Sequence, residues 1–420
     1  MQLLLLGLAL ILILARALGA LAARLGQPPV IGEIIAGILL GPTIMHGAIA
    51  GVLFPEALIG PLTALANIGV ALFMFLVGME IEFHTIKGRA RVVAGAALGS
   101  VLVPFALGVG VAASLLGDHA QGSGSAFVVF FGLAVSVTAF PVLARILADR
   151  SLIRTSLGGI ALATAAVVDV VAWIALAILV AGVSDQGGAW NVVLIVLVGA
   201  VMMLVVRPLL RRLLTPRGIG APLTGWTFAL VLAGALASGA VTEAIGIHAI
   251  FGAFLFGLAM PRQGATAVRA DVQDRVGQLT SLLLPVYFVT AGLKVDFGRL
   301  DLADLGQFGV ILLVAVLGKF GGTYAGARLQ RLPSRPAIAL ATLMNTRGLT
   351  ELIILGVGLQ IGLLDNSLYS LMVAMAVITT LMTGPLLSLI YRKPVETPAP
   401  GGMQGPGSAT RTSTRSPAEP

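Results

Sequence analysis

Apolar runs long enough to cross a bilayer recur along this chain, joined by short polar links, and that recurrence constrains its fold more than any single residue does. With 58% hydrophobic residues, only 10% charged and a mean hydropathy of +1.03, the composition lies far outside the soluble norm. Hydrocarbon offers backbone amides no water, so a spanning segment must satisfy its own hydrogen bonds, and runs of about 20 residues are helix-length. The chain is therefore read as an all-α integral membrane protein with about thirteen transmembrane helices. They fall near residues 2–24, 29–42, 61–82, 92–116, 126–148, 155–182, 190–213, 222–241, 245–260, 277–293, 306–328, 336–362 and 367–391, the second and ninth being the shortest. Residues 1–393 make up the membrane unit. Residues 394–420, rich in Pro, Gly, Ser and Thr, are expected to be a disordered cytoplasmic tail, with no soluble domain before or after the membrane unit.

The net charge of +8 would suit a nucleic-acid binder, but the basic residues form short clusters between apolar runs, where they orient a membrane protein instead. Alternate links carry Arg24, then Lys87/Arg89/Arg91, Arg150/Arg154, Arg211/Arg212/Arg217, Arg262/Arg269/Arg275, Arg328/Arg331/Arg335 and Arg392/Lys393; the intervening links hold only Lys294 and Arg299. This alternation puts the C-terminus in the cytoplasm and the N-terminus outside, in a multi-pass cell-membrane protein. The first run has no basic residue ahead of it and continues past Arg16 to spanning length, so it is expected to stay as a helix and not be cleaved as a signal. Cys 0 excludes disulfides and thiolate metal sites, and four scattered His residues suggest no metal cluster, so no cofactor is expected. No Gly-rich phosphate loop ending in Lys-Ser or Lys-Thr is present, and no enzymatic activity is expected.

An odd number of spans allows an inverted repeat, with spans one to six and eight to thirteen entering from opposite sides and the seventh connecting them. The fifth span of each half should then correspond. One contains Ser136-Val137-Thr138-Ala139-Phe140-Pro141 and the other Asn345-Thr346-Arg347-Gly348. Both interrupt an apolar run near mid-depth, as paired broken helices crossing at a midplane ion site would.

Asp169 lies about 21 Å into its span, near the bilayer centre, with no base at i±3 or i±4. A bare charge there costs at least about 2.5–3.5 kcal/mol, so the residue is suited to trading a proton for a cation. Lys319, flanked by Gly318, Gly321 and Gly322, is the second buried charge; it is expected to neutralise Asp169 or to cap a broken-helix end. Arg347 and Glu351, four apart, read as an intrahelical ion pair bracing the second break. Thr138, Ser136 and Asn345 offer oxygens for cation contact, and Pro141 should free carbonyls beside them. Glu33 reads as a helix-contact residue, Arg16 as packed between helices, His46 and His248 as packing hydrogen-bond residues, and Glu80, Glu82 and His84 as marking an interfacial helix end.

The stretches SVTAFPVLARILAD (Ser136–Asp149) and AVVDVVAW (Ala166–Trp173) resemble the second monovalent cation:proton antiporter family, in particular its plant-type cation/H+ exchanger branch. So do QPPVIGEIIAGILLGP (Gln27–Pro42), IGIHAIFG (Ile245–Gly252), LPVYFVTAGLK (Leu284–Lys294) and MNTRGLTELI (Met344–Ile353). The resemblance implies the inverted-repeat antiporter fold, a homodimer in the bilayer, and exchange of Na+ or K+ for H+ by movement of a core domain against a dimerisation domain. It gives Asp169 the ion-binding carboxylate, places Thr138 on the first broken helix and Asn345–Gly348 on the second, and makes Lys319 the basic residue of the core. In one respect the chain departs from the pattern: relatives commonly carry a polar residue before the essential Asp, and here that position is Val168. No nucleotide-binding domain of the kind attached to glutathione-gated members is expected.

The expected function is secondary-active monovalent cation:proton antiport, Asp169 holding a proton or a cation but never both. Two rivals fit the same composition. One is a symporter or uniporter for an organic anion, which would need Arg or helix N-termini aimed at the substrate; the other is a non-transporting membrane sensor.

Overall fold

A computed structural model describes residues 1–43, 48–80, 89–121, 123–152, 155–183, 188–214, 224–245, 248–261, 266–298 and 300–390. His46, Glu82, His84, Lys87, Arg154, Asp185, Arg217, Arg262, Arg299, Arg392, Lys393 and the tail 394–420 lie outside the described residues. The described chain is almost wholly helical. In order it forms α1 (Gln2–Arg24), α2 (Pro29–Leu40), α3 (Ala48–Leu53), α4 (Glu56–Glu80), α5 (Ala90–Leu115), α6 (Gly124–Ser136), α7 (Phe140–Asp149), α8 (Ser156–Val183) and α9 (Gly188–Val201). There follow α10 (Arg207–Leu214), α11 (Gly225–Ala244), α12 (Ala249–Ala259), α13 (Thr266–Leu293), α14 (Leu302–Leu329), α15 (Ser334–Met344), α16 (Leu349–Gln360) and α17 (Asn366–Ile390).

Among these residues nine spans are long and apolar enough to cross a membrane, α6 and α7 counting together, and the pair α15–α16, bent by 42°, makes a tenth. The expected second and ninth spans are the shorter apolar helices α2 and α12, and the expected seventh is α9 and α10 joined through a π-helical segment, Met202–Val206.

Contacts divide the helices into two bodies. One, the core, gathers α5 to α8 and α14 to α17; the other, the scaffold, gathers α1, α2, α4 and α11 to α13, with the π segment packed on α12. Helix–helix attraction in lipid comes from close packing, so small residues decide where helices touch. Between α5 and α14 the backbones meet at Gly99 and Gly322: a methyl group on either would overlap the carbonyl oxygen of the other. That approach brings Lys319 of α14 against Ser100 of α5.

Candidate functional site

The two interrupted spans cross inside the core. Residues 137–139 join α6 to α7, residues 345–348 join α15 to α16, and the Ala139 amide donates to the Thr346 carbonyl at 3.1 Å, tying the two breaks together. Pro141 occupies the first turn of α7, where its missing N–H would have had no helical partner in any case, so it starts a half-helix more than it breaks one. Gly348 has φ 147° and ψ −123°, a conformation that strains any side chain, and a Cβ there would meet Val142 Cγ2 at 2.9 Å. Glycine is required at that crossing.

Freed backbone groups at such a break must be satisfied, and here basic and hydroxyl side chains do it. Arg347, fully buried, donates from Nη1 to the Ala134 carbonyl at 3.1 Å and to Glu351 Oε1 at 3.0 Å, and from Nη2 to the Val135 carbonyl. It therefore sits on the C-terminal, partially negative end of α6 while pairing with the first turn of α16. The expected Arg347–Glu351 pair is present, and it clamps one broken helix to the other. Thr380 Oγ1 donates to the Arg347 carbonyl at 2.8 Å and accepts from the Arg347 amide at 3.1 Å, fixing the break against α17.

Lys319 Nζ donates to Thr138 Oγ1 at 2.7 Å and to Ser100 Oγ at 2.9 Å, and Thr138 Oγ1 passes its own proton to the Met344 carbonyl at 3.0 Å. The ammonium thus holds the first break to α5, and it is not in ion-pair contact with Asp169. Asp169 is 1% exposed, and neither of its carboxylate oxygens has a hydrogen-bond partner. The Phe140 amide, at the positive end of α7, and the Thr350 hydroxyl of α16 face the carboxylate, with Lys319 as the nearby charge. Val168 beside it is buried in an apolar cluster with Leu143, Leu343 and Met344, so this position offers no second titrating group.

Other candidate residues are bound elsewhere. Ser136 Oγ donates to its own helix at the Leu133 carbonyl, 2.8 Å away. Asn345 Nδ2 reaches the Thr379 carbonyl at 3.5 Å, while its Oδ1 is unpartnered. Glu33 is buried on α2 near Arg16, and Arg16, exposed on α1, bonds the Ser281 carbonyl of α13 at 3.0 Å. Sequence reasoning missed Ser100, Thr350 and Thr380, whose hydroxyls look like any others in an apolar helix.

A buried carboxylate that makes no hydrogen bond of ordinary length, faced by the Phe140 amide, the Thr350 hydroxyl and the Lys319 charge, is stabilised by a proton or a cation beside it.

Comparison with known proteins follows the same lines. The family model described as sodium/hydrogen exchanger, transmembrane, matches residues 9–393. Cation/H(+) antiporter 17 of Arabidopsis thaliana is 39% identical over 404 residues, covering 93% of this chain and 49% of its own length. The chain spans about half the length of the plant relatives it matches. Na(+)/H(+) antiporter NhaS4 of Synechocystis is 37% identical over 393 residues, 91% of this chain and 95% of that protein. Among solved structures, the sodium proton antiporter MjNhaP1 from Methanocaldococcus jannaschii matches with a TM-score of 0.69 at 14% identity, over 91% of this chain and 98% of that one, a likeness of fold. With nearly the whole membrane unit matched, the chain belongs to the sodium/hydrogen exchanger transmembrane family.

Proposed function

We propose that the chain exchanges a monovalent cation, Na+ or K+, for protons by alternating access, with Asp169 taking proton or cation in competition. The observation that carries this reading is a buried carboxylate with no fixed hydrogen-bond partner, set at the crossing of two broken helices and flanked by a buried lysine. A bare Asp169 inside the core is too costly to carry across, so the core can change faces only when the site is filled, and that requirement is the coupling. The names of its relatives point the same way: a Na(+)/H(+) antiporter in Synechocystis and a K(+)/H(+) antiporter in yeast. The protein moves ions and performs no bond chemistry. It acts as a homodimer in the cell membrane, N-terminus outside and C-terminus in the cytoplasm. Purified protein in proteoliposomes tests the function: an imposed gradient of Na+ or K+ should drive proton movement in the opposite direction. Absence of proton flux with every alkali cation would defeat it.

A further inference from the structure

Lys319 and Asp169 are a buried base and a buried acid in one core, and yet they do not pair. We propose that α5 carries a dock for the Lys319 ammonium, made of the Ser100 hydroxyl and the Ser100 backbone carbonyl that Pro104 frees, and that this dock keeps Lys319 off Asp169, leaving the carboxylate open to a cation. This rests on the antiport reading.

The dock follows from how α5 meets α14. Pro104 lies inside α5, and with no N–H of its own it leaves the Ser100 carbonyl, one turn back, without the usual helical donor. Both residues are buried on the face toward α14: a Cβ on Gly318 would meet Pro104 Cα at 2.9 Å, and Lys319, the next residue, donates to Ser100 Oγ at 2.9 Å. Ser100 and Lys319 are each 0% exposed. An ammonium has three N–H donors and no water here to serve them. Ser100 Oγ and Thr138 Oγ1 accept from it, and the freed carbonyl adds partial negative charge on the Ser100 side. Thr138 belongs to the first break, at the proposed cation site, whereas Ser100 belongs to α5. Because α5 and α14 meet backbone to backbone at Gly99 and Gly322, the dock travels with the core as it changes faces. Arg347, Glu351 and Asp169 are the charges that act on Lys319, and Glu351 is committed to Arg347. Asp169 is therefore the carboxylate to which an undocked Lys319 would turn, and an ion pair there would compete with the cation for the same oxygens.

Kinetics in proteoliposomes and melting temperatures of the same preparations test the dock. Ser100→Ala, and Pro104→Ala, which returns a helical donor to the Ser100 carbonyl, should each raise the apparent KM for Na+ or K+ about tenfold, the worth of one hydrogen bond to a charged group, with the maximal rate changed far less. Ser100→Thr should keep the wild-type KM. Pro104→Ala should keep or raise the melting temperature, because it restores a regular helix, so weaker cation binding in a protein no less stable separates docking from a structural role. That variant also decides the matter if Ser100→Ala fails to fold. A readout independent of transport is labelling of Asp169 by dicyclohexylcarbodiimide, which attacks protonated carboxyls in apolar surroundings. Its rate should fall in Ser100→Ala and Pro104→Ala and recover when Lys319→Met is added to either. An unchanged KM in both variants, or unchanged labelling in both, overturns the dock. If the wild type shows no cation-driven proton flux, the antiport reading itself falls, and the labelling rates still decide whether α5 holds Lys319 away from Asp169.

Discussion

At the residue scale, everything turns on how a few charges are held inside an apolar core. The groups facing Asp169, the Phe140 amide and the Thr350 hydroxyl, can serve a side-chain amide as well as a carboxyl, so Asp169→Asn should leave the protein folded, with its melting temperature in detergent kept or raised, while cation-driven proton flux in proteoliposomes falls at least about a hundredfold. Retained flux in that variant would remove Asp169 from the mechanism. Arg347 is the opposite case. Removing it strands Glu351 and two carbonyls at the end of α6, so Arg347→Met should cost about 3–5 kcal/mol. Joint replacement of Arg347 and Glu351 by Met should recover part of the loss, because it removes the stranded carboxylate, and thermal melts of the single and double variants in the same detergent would check this.

At the scale of the element, the broken helices depend on single backbone positions. Gly348→Ala forces a side chain into φ 147° and against Val142, a strain of about 1–3 kcal/mol before the clash, and it should lower both melting temperature and transport; Gly362→Ala, at φ 65° in open space, carries left-handed strain without the clash and should cost less. The breaks themselves were legible in the sequence, because Ser136–Pro141 and Asn345–Gly348 are polar, Pro or Gly inside apolar runs. So was the pairing of Arg347 with Glu351, which needs only the spacing of a helical turn. What Lys319 touches was not: Thr138 lies 181 residues away and Ser100 lies 219 away, and the sequence offered only two general readings, neutralising Asp169 or capping a broken-helix end. The α6 carbonyls under Arg347 are likewise more than 200 residues distant. A helix that is apolar all round gives no stripe from which to tell its buried face, so the division into two bodies could not be read from periodicity. Residue types marked the site, while the distant backbone contacts that build it came only from the fold.

For the whole molecule, behaviour follows from which groups can change charge as the two bodies move. Outside the membrane one such group ties the core together: His119 Nδ1 meets Asp365 Oδ2 at 2.9 Å and its Nε2 meets Gln307 Oε1 at 2.8 Å, joining the α5–α6 link, α14 and the α16–α17 link. The Asp365 hydrogen bond raises the His119 pKa above its ordinary 6.5 against the opposing effect of burial, with Gln307 and the charges of Asp365 and Asp304 adding to it. Burial pushes Asp365 up, but bonds from His119 and the Leu368 amide outweigh it and hold the carboxyl below its ordinary 3.8. The His119 contribution is complete below 6.5 and fades as pH rises through the raised value; that of Asp365 is complete above 3.8 and fades as pH falls through the lowered one. The melting-temperature difference between wild type and His119→Asn should therefore be largest between those two ordinary values and shrink at alkaline pH; a difference that is flat with pH would show the contact to be uncharged. Inside the membrane the matter is how much charge crosses per cycle. On the proposed mechanism Asp169 would carry one proton or one cation, and Val168 beside it cannot titrate, so the carboxylate alone would make exchange one for one. Lys319 could add a charge only by releasing its proton when the cation arrives. Its contacts to Thr138 and Ser100 hold it at the first break in either protonation state, and the mechanism taken here keeps its charge constant through the cycle. Exchange should then be electroneutral. With pH and cation gradients fixed, rates in proteoliposomes should not change as the membrane potential is stepped over about 100 mV, an interval worth about 2.3 kcal/mol for each uncompensated charge. A voltage-dependent rate that becomes flat in Lys319→Gln would assign the extra charge to Lys319.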